Sequence, residues 1–322
     1  MAKTDWLGLT SNVYSAAQIR RRMRYASFVS RRHRLLFVET PKAACTSLKW
    51  VMAEIEGAAP KVAARGRESQ LEMAVHFRDA HPLPALTDLP AAEAREALGS
   101  AEWARFCAVR HPYSRLIAAW SNKIRQIEPG YSSVCAAVNR HCGRPDDGSA
   151  PAFRDFARWV FDANDAATCD PHWRPQTLLL LPDSVRYDVV MKTETLAADL
   201  QRVFDAGATT RALDAAAVLA KFRHNESLPV SYDGLYDEAL ARRAHDWYAA
   251  DFARFGYAEG SWRDIAQRKR APSFAELEAA ALSAVQQRNR FIEDLQPGKR
   301  SKPVKLLAEA RKGLRRVFGR PR

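Results

Sequence analysis

Nowhere in the 322 residues does an apolar run reach the roughly 18 residues that a membrane-spanning helix requires, so no membrane anchor is expected. The N-terminal stretch MAKTDWLGLTSNVYSAAQIRRRMRY also lacks the apolar core of a secretory signal. Cysteine is scarce and odd in number: Cys45, Cys107, Cys135, Cys142 and Cys169. That usage excludes a disulfide scaffold and suits a reducing compartment, with Cys135 and Cys142 expected as two thiols rather than a pair. Neither CxxC nor HxxxH spacing occurs, so no metal enters the expected chemistry. Glycine is sparse, at 14 residues, and no internal repeat stands out. With 47% apolar residues the composition is that of a folded globular chain, long enough for one large α/β domain or two small ones.

What is plentiful is positive charge, with 50 Lys+Arg against 37 Asp+Glu and a net charge of +13. It is not spread evenly. Residues 1–34 hold eight basic and one acidic side chain (+7), and residues 299–322 hold ten and one (+9). Residues 35–298, with 32 and 35, carry −3. A nucleic-acid-binding domain places its excess on one folded face, so this distribution argues against nucleic acid as a partner. The expected organisation is a basic N-terminal segment (1–34), a nearly neutral body (35–298) and a basic tail (299–322).

Within the body, LLFVE at 35–39 reads as a buried strand leading through TPKAACTS into a helix marked by Leu48, Val51, Met52 and Ile55. A second strand–turn–helix unit follows at 106–127, with FCAV as strand and Tyr113, Leu116, Ile117, Trp120, Ile124 and Ile127 as one helical stripe. A third strand is expected at 185–191, before a helix from Thr195 to Phe204. Alternating strands and helices predict an α/β fold, a mainly parallel central sheet with helices on both faces. Residues 128–151 read as a surface excursion and 236–255 as one helix stopped by Gly256. A further helix is expected over 274–295. In the tail, Val304, Leu307, Leu314 and Val317 fall on one side and Lys/Arg on the other. Such a segment either lies on an anionic membrane surface or is a solvated end.

Two segments carry candidate chemistry. Pro41-Lys42-Ala43-Ala44-Cys45-Thr46-Ser47 joins a strand to a helix, where unpaired backbone N–H groups and the helix dipole favour an anion. Lys42 adds a cation, and Thr46 and Ser47 add hydroxyls. The segment is not a Walker A loop, which needs glycines and a Lys just before the Ser/Thr. An ordinary turn capped by Thr or Ser is the alternative. The second segment, Val109-Arg110-His111-Pro112-Tyr113-Ser114-Arg115-Leu116, puts an Arg at a strand's carboxyl end before a Pro-initiated helix. Arg110 is placed to grip a phosphate bidentately or to form a structural ion pair.

Together, PKxACTxxK and, about 65 residues on, VRxPxxRLxxAWxNK resemble the membrane-associated carbohydrate sulfotransferases of family 2, the branch with chondroitin and dermatan 4-O-sulfotransferases. The likeness continues in Asp170-Pro171-His172-Trp173-Arg174-Pro175-Gln176, in Met191-Lys192-Thr193-Glu194-Thr195-Leu196 and in YAADFARFGY at 248–257. It implies a P-loop-like sulfotransferase fold, here in a form without an anchor. It also implies 3′-phosphoadenosine 5′-phosphosulfate (PAPS) as donor and a carbohydrate or glycolipid as acceptor. By the same resemblance Lys42, Ala44, Cys45, Thr46 and Ser47 would hold the 5′-phosphosulfate and Arg110 the 3′-phosphate. The chain departs from the family in Ser47-Leu48 for Asn-Trp, in His111 for Asp, and in Ala118 where a phosphate-binding Ser is usual. Ser114 or Ser121, one turn away on either side, is the expected substitute.

Sulfuryl transfer asks for a general base, and histidines compete for the role. His76 and His81 lie between the two donor segments, where related sulfotransferases keep their catalytic His, and His172 lies in HWRPQ. The expected order is His76, His172, then His81, with Lys42 as the electrostatic partner of the transferred group. His111 is expected to stack or bond locally. Glu194, Arg174 and Lys192 read equally as site groups or surface charges, and Trp173 as site wall or core. Trp103, Trp120, Trp159 and Trp247 are expected in the core. Two other functions use the same residues. A P-loop kinase or nucleotide hydrolase would need a Mg²⁺-holding carboxylate, for which Glu194 is the near candidate. A non-catalytic basic module with a decayed donor site would fit Ala118. The expected location is cytoplasmic, with the tail able to hold the protein at the inner face of a membrane.

Overall fold

Four short segments build the sheet: β1 (Ser27–Ser30), β2 (Leu35–Val38), β3 (Ala104–Val109) and β4 (Val189–Lys192). The computed structural model describes residues 6–65, 74–76, 81–128, 130–222 and 231–268, with single positions between 273 and 283. The strands lie in sequence order, β2, β3 and β4 parallel and β1 antiparallel at the edge. Every residue of β1, β2 and β3 is buried, as in a sheet covered on both faces.

The helices, in chain order, begin with α1 (Ala16–Ala26), α2 (Cys45–Ile55), α3 (Ala59–Arg65), α4 (Ala91–Gly99) and α5 (Pro112–Ala119). There follow α6 (Ser132–His141), α7 (Phe153–Ala163), α8 (Gln176–Leu180), α9 (Leu196–Ala206) and α10 (Ala215–Ala220). The last are α11 (Glu238–Trp247), α12 (Ala249–Phe255) and α13 (Trp262–Arg268).

Period-two alternation along the strands sorts the core into layers. Leu35, Phe37, Phe106 and Met191 pack on α2, α9 and α10. Leu36, Val38, Cys107 and Val109 face the other way, onto α1, α4 and α8. A third cluster, from α5, α6, α7, α11 and α12, gathers beyond the carboxyl end of β3. The expected α/β architecture is therefore present, and Trp103 and Trp120 are buried as expected, with Trp159 and Trp247 packed against the third cluster.

Four expectations change. The N-terminal segment read as an appendage supplies the edge strand β1 and, through Ile19, Met23 and Ala26, part of the core. A basic composition concealed it because Arg20, Arg21 and Arg24 lie exposed on the outer side of α1 while apolar residues pack beneath. The 128–151 excursion contains α6, which buries Cys135, Val138 and Asn139. The third strand starts only at Val189, because the Asp188 carboxylate takes the backbone N–H and guanidinium of Arg105. The helix at 236–255 is broken at Tyr248, whose hydroxyl donates to the Trp173 carbonyl at 2.7 Å. Gly256 does end α12, at a left-handed φ of 65°. The tail at 299–322 lies outside the described residues, as does nearly all of the expected 274–295 helix. No helix among the described residues is long and apolar enough to cross a membrane.

Candidate functional site

The loop after β2 turns sharply on two non-glycine residues in the left-handed region, Lys42 (φ 68°) and Ala44 (φ 56°). Each costs roughly 1–2 kcal/mol relative to right-handed backbone, a strain that persists where function requires it. Ala44 is also the N-cap of α2, and no side chain caps that helix. The expected alternative, a turn capped by Thr or Ser, is therefore not what forms. The first N–H groups of α2, at Cys45, Thr46 and Ser47, are left without helical acceptors and open an anion site. The Thr46 side chain is buried and turns instead to His76, its Oγ1 lying 2.9 Å from Nε2.

Lys42 reaches over this opening and donates from Nζ to the Asn122 Oδ1. Burial, reinforced by the charges of Lys123 and Arg110, pulls its ammonium down to about 7. Asn122 and Lys123 sit on a single π turn (Trp120–Ile124) that continues α5, an irregularity often found at functional sites. Lys123 pairs with Glu128 at 2.5 Å.

Arg110 leaves the carboxyl end of β3, beside β2, and meets the Lys42 loop there. Its Nη1 is 3.5 Å from the Lys42 carbonyl, Nε donates to Ser114 Oγ at 3.1 Å, and Nη2 donates to Tyr232 Oη at 3.2 Å. Ser114 in turn donates to the His111 carbonyl at 3.1 Å, so its hydroxyl steers Arg110. Ser121 is 1% exposed and makes no hydrogen bond among the described residues, and Ala118 is buried beside it in the chain.

Three further side chains hold these segments. Gln176 clamps the Arg110 backbone, accepting its N–H and donating to its carbonyl, both at 2.9 Å. Buried Asp251 accepts the N–H groups of Gln176 and Thr177 at 2.7 and 2.8 Å. Arg115, 1% exposed, donates to the carbonyls of Pro41, Arg174 and Pro171 at 3.0, 2.7 and 2.8 Å. The separated sequence segments are thus bonded to one another.

The histidines differ in what their ring nitrogens can do. His76 Nδ1 lies 3.0 Å from Lys49 Nζ, and Lys49 forms an ion pair of 2.5 Å with Glu39 in which both side chains are almost wholly buried. An ammonium only donates, so the His76 lone pair is consumed and its proton sits on Nε2, toward Thr46. Burial, then the charges of Lys49, Lys123, His172 and Lys42, pull His76 down to about 2. His172 is arranged the other way. Its Nδ1 donates to Asp170 Oδ1 at 2.6 Å, while Tyr131 Oη lies 3.1 Å from both Asp170 Oδ2 and that Nδ1. This fixes the proton on Nδ1 and leaves a lone pair on Nε2, which has no hydrogen-bond partner among the described residues. Burial lowers the His172 pKa, against the pull of Asp170, so the ring is neutral near neutral pH.

The remaining candidates are held by local contacts. His81 stacks edge-on against Phe28 and accepts the Leu83 N–H at 3.2 Å. His111 lies 2.7 Å from Ser261 Oγ and packs on Tyr113, Phe252 and Tyr257. Glu194 accepts the His111 N–H at 3.1 Å and the Tyr257 hydroxyl at 3.3 Å. Arg174 donates to the Cys169 carbonyl at 2.9 Å, and Lys192 sits 4.6 Å over the Tyr257 ring. Trp173 is core, 2% exposed among Phe156, Trp159 and Tyr131. Among the described residues no three His, Cys, Asp or Glu side chains cluster as a metal site.

Sequence reasoning assigned no role to Asn122, Lys123 and Arg115, although all three stand in VRxPxxRLxxAWxNK, nor to Asp170, two residues before His172. Tyr131 carried no signal, because it lies in the stretch read as a loop.

A model of the sulfotransferase family matches residues 25–258, from inside α1 through all four strands to just past α12. The chain belongs to the sulfotransferase family. It is 29% identical over 245 residues to carbohydrate sulfotransferase 10 of Xenopus laevis, covering 72% of this chain and 67% of that one. It is 34% identical over 182 residues to carbohydrate sulfotransferase 14 of Homo sapiens, with coverage of 55% and 45%. The chain thus spans between about half and two thirds of those relatives' lengths. No solved structure matches it.

Proposed function

We propose that the chain is an enzyme moving a sulfuryl group from PAPS to a hydroxyl of a carbohydrate or glycolipid. The observation that carries this reading is the meeting of Lys42 and Arg110 beside the uncapped N-terminus of α2. A donor with phosphate groups at both ends of a nucleoside needs two cation sites held at a fixed spacing, and these residues supply them. Membership of the sulfotransferase family and the carbohydrate sulfotransferase relatives support the choice of transferred group and acceptor.

In this reading the N–H groups of 45–47 and Lys42 stabilise charge on the sulfuryl oxygens and on the departing 5′-phosphate. Arg110, steered by Ser114, holds the 3′-phosphate. His172, rather than the expected His76, is the general base. Its Nε2 takes the acceptor's proton, and Asp170 holds the tautomer that makes this possible. As that proton moves, the acceptor oxygen bonds to sulfur and the bond from sulfur to the 5′-phosphate oxygen breaks. His76 braces Thr46 at the start of α2.

Calorimetric titration of the full chain with 3′-phosphoadenosine 5′-phosphate in EDTA tests the donor. Binding is expected without divalent metal, and Lys42→Ala and Arg110→Ala should each weaken it at least tenfold. Absence of binding, or binding only of ATP with Mg²⁺, would refute the assignment.

A further inference from the structure

A groove of about 650 Å³ lies between α1 and the turn Leu86–Asp88, apart from the loops just described. Arg20, Arg21 and Arg24 of α1 line it, with Trp6, Thr87 and Asp88 on its other walls. All three arginines are exposed, and none makes a hydrogen bond or an ion pair with a described residue. Their helix is well formed, closed at Ser15 by a reciprocal capping box with Gln18 and anchored by buried Ile19 and Met23. The guanidinium groups are thus held on one wall with no ion pair to a described residue, across the groove from Asp88, whose carboxylate accepts the Ala85 N–H at 2.8 Å.

The helix that lines the groove also reaches the Lys42 loop. Side chains four apart share one flank of a helix, so Arg20 and Arg24 form one row and Arg21 and Tyr25 the next. Past them, Arg22 donates to the carbonyls of Glu39, at the head of the Lys42 loop, and of Leu179. Tyr25 is 58% exposed, one of two large apolar side chains so open among the described residues. Its hydroxyl feels the charges of Glu39, Lys49 and Cys45, which places it at the rim of the α2 opening. A concave run of three guanidiniums flanked by Trp6 and Tyr25 suits an extended ligand with flat apolar faces and spaced anionic groups.

We propose that this groove is an exosite for a carboxylate-bearing stretch of the glycan acceptor, which crosses α1 over Tyr25 so that another sugar of the same chain meets His172. The proposal rests on the carbohydrate sulfotransferase reading above and adds where the non-reacting part of the acceptor binds. The three arginines hold carboxylates by charge-assisted, forked hydrogen bonds, and Trp6 and Tyr25 contact sugar faces.

The test measures binding of a fluorescently labelled oligogalacturonate, and of a labelled neutral maltohexaose, to the full chain by anisotropy. In Arg20→Gln/Arg21→Gln/Arg24→Gln the oligogalacturonate Kd is expected to rise at least tenfold, with a shallower salt dependence. Affinity for 3′-phosphoadenosine 5′-phosphate should stay unchanged. Arg95→Gln/Arg202→Gln/Arg242→Gln, which removes equal charge elsewhere, should leave oligogalacturonate binding as it was. Equal losses in both triple variants, no loss in either, or no oligogalacturonate binding by the parent would overturn the exosite. Loss of binding to phosphatidylserine vesicles alone would make the groove a membrane contact and also overturn it. Failure of the parent to bind the bisphosphate nucleotide would instead strike the donor assignment, which the oligogalacturonate readout does not use.

Discussion

Lys42 is a cation whose charge the protein itself makes costly, being buried and close to Lys123 and Arg110. With its pKa drawn down to about 7, the free protein holds a mixture of charged and neutral Lys42 near neutrality. A bound polyanion favours the charged form, so binding must take up protons. Affinity for 3′-phosphoadenosine 5′-phosphate is therefore expected to fall as pH rises above 7, with proton uptake visible when calorimetry is repeated in buffers of different ionisation enthalpy. Lys42→Arg, which stays charged, should flatten the profile; an unchanged profile would show that Lys42 does not titrate there. The histidines give a second prediction at this scale. His172→Ala should lower kcat by about 10²–10⁴, the usual worth of a general base, with nucleotide affinity within about twofold. Asp170→Asn should lower kcat while leaving that affinity intact, because it disturbs only the tautomer. Full turnover in His172→Ala would return the role to His76. The sequence could rank histidines by position only. What separates His76 from His172 is which ring nitrogen has a partner, and those partners, Lys49 and Asp170, become decisive only once the fold brings them within 3 Å.

Among the elements, the β2–α2 unit was readable from its apolar pattern because strand and helix each obey their own period. Its anion-binding character was not, since a capped turn and an open one share the same Thr and Ser. The difference lies in backbone angles at Lys42 and Ala44 that composition does not disclose. Ala44→Gly should relieve the left-handed strain, stabilising the protein by roughly 1 kcal/mol and raising its thermal midpoint by a few degrees. Nucleotide binding should be kept. A lower midpoint would mean that the alanine methyl contributes packing that outweighs its strain. The break at Tyr248 and the late start of β4 were hidden for a related reason: each is set by a hydrogen bond to a residue far along the chain, Trp173 in one case and Arg105 in the other.

At the scale of the molecule, charge arithmetic divided the chain into a neutral body and basic ends, yet the described part of the first end belongs to the body. Arg20, Arg21 and Arg24 on one side of α1 add to the count, while Ile19, Met23 and Ala26 on the other side do the packing. Deleting residues 1–26 should therefore abolish cooperative unfolding, followed by circular dichroism on heating. A truncated chain that melts as sharply as the parent would restore the appendage. The parallel order of β2, β3 and β4 was legible from alternation, whereas the antiparallel edge was not, because SFVS is too short to show a period.

Arg115 ties the carbonyl of Pro41, beside the anion loop, to those of Pro171 and Arg174, which flank His172. On the proposed chemistry, these are the leaving-group side and the proton-accepting side of a single in-line displacement. One buried guanidinium thus works as a caliper, setting the gap that attacking oxygen, sulfur and departing oxygen must span together. Surface loops that choose the acceptor can then change in length or composition without resetting that gap, leaving the reaction axis under the control of the core.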